Sequence, residues 1–148
     1  MFRADVLLAT SLLLGCSAPT HPTVEQEPRA AAEAAARSWL EVVDAGDYEK
    51  SWDAASELFR QNMARFGKDA SFWVKSLNVS RAPLGDVRMR EVARVEPDAG
   101  IAGMPPGDFV EVEYLGTFVN QDRVTETIVM TLESDAEWRM ANYIIDRE

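Results

Sequence analysis

The spacing of hydrophobic residues changes once along this chain, from near four to two, and the change falls at Pro83-Leu84-Gly85. Upstream of that point only helices satisfy the pattern, and downstream only strands do. Ala32, Ala35, Ala36, Trp39, Leu40 and Val43 share one helical face after Pro28, a favourable first-turn residue. Gly46 predicts a stop and Asp47 an N-cap for a second helix, whose inward stripe is Tyr48, Trp52, Ala55, Phe59 and Met63. Gly67 breaks that pattern, and Asp69 can cap a third, shorter helix with Phe72, Trp73, Ser76 and Leu77 on its apolar side.

Beyond Gly85, Val87, Met89, Ala93 and Val95 alternate against Arg88, Arg90 and Arg94, which reads as a first strand. A loop rich in Gly and Pro over residues 96–107 separates it from a second strand at about 108–119. Short turns at 120–122 and 134–136 lead to a third at 123–133 and a fourth at 137–145. Short turns make neighbours antiparallel, so the expected fold is α+β, with three helices on one face of a four-stranded antiparallel sheet. At 148 residues, 47% hydrophobic and 27% charged, the chain holds one such domain with a real core.

Two-residue alternation sorts the faces. Val87, Met89, Val110, Val112, Phe118, Ile128, Met130, Leu132, Trp138, Met140 and Ile144 are expected to meet the helices. Arg88, Arg90, Arg94, Glu111, Glu113, Thr125, Thr127, Thr131 and Arg139 are expected on the other side, as a solvated ladder of cross-strand pairs. Trp39, Trp52, Trp73 and Trp138 each fall on the inward side of a different element, as a core between layers requires.

Composition closes several chemistries. Fifteen Lys and Arg against twenty-five Asp and Glu give a formal charge of −10, which repels nucleic-acid phosphates and anionic headgroups alike. Cys16 and His21 are the only cysteine and histidine, and both precede the first regular helix. The domain therefore lacks disulfides, cysteine nucleophiles, Cys or His metal sites and any Ser-His-Asp triad, and no cofactor is expected.

The leader is informative. Arg3 precedes a mostly apolar stretch at 6–14, too short to span a bilayer, which needs about 20 residues. Leu13-Leu14-Gly15-Cys16 resembles a bacterial lipobox, in which the cysteine sulfur receives a diacylglycerol and the peptide is cut before it. That resemblance implies a leader at 1–15, a membrane anchor at Cys16, a tether at 16–27 carrying Pro19 and Pro22, and a domain at 28–148. Ser17, rather than Asp, after the cysteine is similar to an outer-membrane address. An ordinary signal peptide with an incidental cysteine is the alternative.

Three helices followed by a curved antiparallel sheet resemble the cone-shaped fold of nuclear transport factor 2 and ketosteroid isomerase. In detail the chain is similar to the bacterial domain of unknown function 4019 family. The stretches that carry the resemblance are WLEVVDAGDYEKSWDAAS (39–56), RAPLGDVRMRE (81–91), MPPGDFVEVEYLGTFVN (104–120) and EWRMANYII (137–145). That family has no catalytic residues to transfer, and fold analogy says little about function.

If the sheet closes over the helices as a cup, the informative residues are polar ones within the apolar set: Glu91, Tyr114, Glu126 and Asn142. A desolvated glutamate there could act as a base, with Tyr114 and Asn142 donating to a developing oxyanion, the arrangement for which ketosteroid isomerase is the standard example. A one-residue slip would move either glutamate to solvent. The expectation is a non-catalytic envelope lipoprotein whose cup or sheet face binds a small ligand or an envelope protein. A small isomerase or hydrolase is the alternative, and homodimerisation through the polar sheet face is a third possibility.

Overall fold

In a computed structural model the chain is described over residues 26–97 and 103–148. The expected leader, Cys16, His21 and nearly all of the expected tether lie outside the described residues, as do 98–102 of the loop between the first two strands. The elements run α1 (Gln26–Asp44), α2 (Tyr48–Asp53), α3 (Glu57–Arg65), α4 (Ala70–Ser80), a short 3-10 turn (Ala82–Leu84), then β1 (Val87–Pro97), β2 (Phe109–Phe118), β3 (Val124–Leu132) and β4 (Trp138–Arg147). The strands pair in sequence order, each antiparallel to the next. The architecture is α+β with an open four-stranded sheet.

α1 crosses the inner face and touches all four strands. Ala32, Ala36, Trp39, Leu40 and Val43, the stripe read from the sequence, are all buried against Val112, Ile128, Met130 and Met140. Gly46 ends the helix at φ +77°, a left-handed conformation in which glycine has no Cβ penalty, and Asp47 N–H closes back on Val42 O at 3.2 Å.

The helix expected from Tyr48 to Met63 is two helices, so there are four rather than three. At the break, Ser56 adopts an extended conformation, and its Oγ accepts from Phe59 N–H at 3.0 Å, capping α3. Its own N–H donates to Met140 O of β4 at 2.9 Å, which joins the helical layer to the sheet through the main chain. Arg60 holds the open end of α2 by donating to Asp53 O at 3.0 Å and Ala55 O at 2.5 Å. Trp52, Ala55, Phe59 and Met63 still face the core, because the two short helices keep nearly one direction of burial.

Three bulges, two in β1 and one in β4, change the predicted faces, and the second in β1, between Val92 and Arg94, returns Arg94 to its expected side. In β1 the pairing shifts between Val87 and Met89, so Met89 turns outward at 51% exposure and Arg90 turns inward opposite Gly116. In β4 the pairing shifts at Ala141, so Tyr143 and Ile145 join the inner face, while Ile144 is 45% exposed. Thr131, assigned to the polar side, is buried. A small second cluster of Phe109, Val129 and Ala141 lies on the outer face, covered by Leu58 and Met104. The remaining outer face carries the expected ladder, with Arg94 2.8 Å from Glu111 and 3.7 Å from Glu113. Exposed pairs of this kind contribute only tenths of a kcal/mol each.

Candidate functional site

Four charged residues from four elements meet on the inner face at the end of the sheet where β1 begins. Asp44 ends α1, Arg81 follows α4, Arg90 comes from the bulged start of β1 and Glu126 from β3. Arg90 grips Asp44 with two bonds, Nη1 to Oδ2 at 2.6 Å and Nη2 to Oδ1 at 3.0 Å, and turns its Nε to Glu126 Oε2 at 2.6 Å. Arg81 donates to Asp44 Oδ1 at 2.9 Å and to Gly85 O at 2.8 Å. The other carboxylate oxygen of Glu126 accepts from the Tyr143 hydroxyl.

Phe118 supplies the floor. Its ring lies under both cations, with centroids 4.6 Å from the Arg81 guanidinium and 5.8 Å from that of Arg90. Space for this comes from Gly116, where a Cβ would sit 2.9 Å from the Phe118 ring. Glu126 is completely buried and Arg81 nearly so, whereas Asp44 keeps 26% of its side chain in water. Two guanidinium groups and two carboxylates make the cluster neutral, and its bonds are short and charge-assisted.

The electrostatics follow from this packing. Burial alone would raise the Asp44 carboxyl, but hydrogen bonds and charge from Arg90 and Arg81 outweigh it and hold the group below its ordinary 3.8. The Arg90 guanidinium loses some basicity to burial and regains more from Asp44 and Glu126, so it stays charged throughout. Tyr143 is pushed well above 10 by burial and by the Glu126 charge it donates to. Tyr114 is pushed up to about 12, mainly by burial, and its hydroxyl has no hydrogen-bond partner among the described residues. Burial also raises the third tyrosine, Tyr48.

A phenol whose folded pKa is raised adds stability that is complete below the unfolded value of 10 and disappears as pH climbs through the folded one. Phenolate absorption should therefore lag behind that of free tyrosine above pH 10 and then appear together with loss of secondary structure. Appearance of all three phenolates at pH 10 in a folded chain would contradict this burial.

The family model described as a protein of unknown function (DUF4019) matches residues 35–143. The chain belongs to that family. The matched stretch contains every member of the ion cluster, from Asp44 to Tyr143. No curated protein and no solved structure matches the chain.

The four polar residues singled out from the sequence divide between the faces. Tyr114 and Glu126 are cross-strand partners on the inner face, both buried. Glu91 pairs with Leu115 on the outer face and is exposed. Asn142 pairs with Val129 on the outer face, half-buried in a shallow hollow beside Phe66 and Met104. Asp44, Arg81, Arg90 and Tyr143 did not emerge from sequence reasoning. The signal that could have found Arg90 is Gly116, since a glycine inside a strand marks a bulge or close approach on the facing strand.

At the opposite end of the sheet, Pro28, Arg29, Pro97, Asp108, Phe109, Val110, Leu132 and Trp138 line a half-open cleft of about 410 Å³. That volume falls within the range of small-ligand sites. Among the described residues no three His, Cys, Asp or Glu side chains are grouped to hold a metal ion, and no helix is long and apolar enough to cross a membrane.

Proposed function

We propose that this chain is a bacterial envelope lipoprotein, anchored by a diacylglyceryl group on Cys16 at the periplasmic face of the outer membrane, and that its domain is a non-catalytic binding module. The domain is read as a cone of the nuclear transport factor 2 type, supported by α1 lying across all four strands and by bulges that bend β1 and β4. The observation that carries the non-catalytic reading is the state of Glu126. Both its oxygens are engaged, one by Arg90 and one by Tyr143, and no part of it reaches solvent. A general base must reach its substrate's proton, within hydrogen-bond distance or through one water, and this carboxylate has no free face to do so. The alternative, an isomerase or hydrolase using a buried carboxylate, would first have to dismantle the bonds that join β1 to β3.

Ligand entry is assigned to the cleft around Trp138, where an apolar group can pack against the indole while Arg29 receives an anionic end. The test is made in a two-membrane bacterium expressing the full chain with a photo-crosslinking phenylalanine analogue at position 138 and fed labelled palmitate. Label should enter the wild-type chain and vanish in Cys16→Ser, and light should join position 138 to one reproducible molecule absent from a control analogue at exposed Glu137. An unlabelled wild-type chain would remove the anchor. Identical products at positions 138 and 137 would remove the binding site.

A further inference from the structure

The charge of this chain is unevenly placed. Residues 60–81 hold five Lys and Arg against a single carboxylate, Asp69, in a chain of net −10. Two of the five are used internally: Arg60 on backbone carbonyls and Arg81 on Asp44. Asp69 is occupied in capping α4, accepting from Phe72 N–H at 3.0 Å. Arg65 and Lys75 stand in solvent, and Lys68 is half-buried with its ammonium 4.7 Å from the Phe72 ring centroid.

The same stretch exposes apolar side chains. Phe66 is 71% exposed, Phe72 41% and Val79 75%. Trp73 and Leu77 turn the inner side of α4 into the core, so Phe72, Lys75 and Val79, at i, i+3 and i+7, form its outward stripe. Glu49 and Asp53 of α2 lie along the other flank of α4, beside Val74 and Asn78, and border a hollow that Lys75 also lines.

We propose that this stripe, with Phe66 in the link before it, seats on an anionic lipid surface. Separated aromatics interleaved with lysines are the composition of an interfacial membrane contact, in which rings enter the headgroup region and lysine stems run along them to the phosphates. Three isolated apolar side chains fall well short of the roughly 800 Å² per partner of a stable protein interface. A lipid surface needs no such area when the chain is already tethered. Residues 17–25 can span about 30 Å when extended, which keeps the domain within reach of the bilayer and turns a weak contact into an effectively intramolecular one. This last step rests on the Cys16 anchor; the composition of the stripe does not.

The test uses the full chain carrying Cys16→Ser, so that no acyl group contributes and the leader is common to every sample. Its sedimentation is measured with vesicles of phosphatidylglycerol and phosphatidylcholine and with phosphatidylcholine alone. Partitioning onto the anionic vesicles should fall about tenfold in Phe66→Ser/Phe72→Ser/Val79→Ser and more than tenfold in Lys68→Glu/Lys75→Glu, since each cation near an anionic surface gives about a fivefold gain. Binding to phosphatidylcholine alone should be weaker than to the mixture for the parent chain. Every position substituted in these variants except half-buried Lys68 is exposed, and circular dichroism will show the fold kept. Equal partitioning of parent and variants, no binding by the parent, or concentration-dependent self-association lost in the same variants would each overturn the proposal. Palmitate labelling reports on the anchor separately, so the two readings fail independently.

Discussion

Arg90→Ala should lower the stability of this domain by about 3–5 kcal/mol, the range found when one partner of a buried ion pair is removed. Glu126 is fully buried and loses the guanidinium 2.6 Å from its Oε2, keeping only the Tyr143 hydroxyl. Asp44 is less affected, because Arg81 remains 2.9 Å away. Urea unfolding reads the loss as a lower midpoint. Replacing both members, Arg90→Met with Glu126→Leu, should recover much of it, since well-packed apolar substitutes for a buried pair are often neutral or stabilising. A single mutant within about 1 kcal/mol of wild type would mean that Arg90 does not compensate the buried carboxylate.

The cluster also has an acid signature. Asp44 sits below its ordinary value of 3.8, so its contribution is complete above that pH and is lost as pH falls through the lower folded value. In Arg90→Ala the depression of Asp44 shrinks, and the fall in stability below pH 3.8 should be shallower than in wild type.

Much of the fold was legible because burial in helices and strands leaves different periods. The α1 stripe, the change of period near Gly85 and the strand pairing order came directly from residue spacing. The break between α2 and α3 did not, because Trp52, Ala55, Phe59 and Met63 fit a continuous helix. What splits them is tertiary: Met140 O takes the N–H of Ser56, and a residue already suited to capping becomes an N-cap. The inner-face placement of Tyr114 and Glu126 was readable because β2 and β3 pair without a shift between Phe109 and Thr131. Arg90 and Tyr143 were hidden for the opposite reason. Each lies beyond a bulge, and one unpaired residue reverses the side chains that follow it, in β1 as far as the second bulge between Val92 and Arg94. Of the cluster's five members only Glu126 was found; Arg90 was assigned to the wrong side, and Asp44, Arg81 and Tyr143 were overlooked.

Trp39→Ala should cost about 3–5 kcal/mol, as expected for deleting a large buried aromatic. Trp39 is 4% exposed and packs edge-on against Tyr143 at 5.1 Å and tilted against Trp73 at 6.3 Å. Its indole N–H donates to Ser51 O at 2.9 Å, while Trp73 donates to Ser51 Oγ at 3.0 Å, so both rings are fixed to one fully buried serine. Removing the ring leaves a cavity between α1 and β4, frees Tyr143 to swing from Glu126 and strands the Ser51 carbonyl. Trp39→Phe separates these effects. It keeps most of the apolar volume and the contact with Tyr143, so its cost should approach that of one unsatisfied buried acceptor, about 1–3 kcal/mol. Because Tyr143 links the Trp39 ring to Glu126, a double-mutant cycle with Arg90→Ala should show coupling of about 0.5 kcal/mol or more. Strict additivity of the two losses would show that the aromatic core and the ion cluster act as separate units.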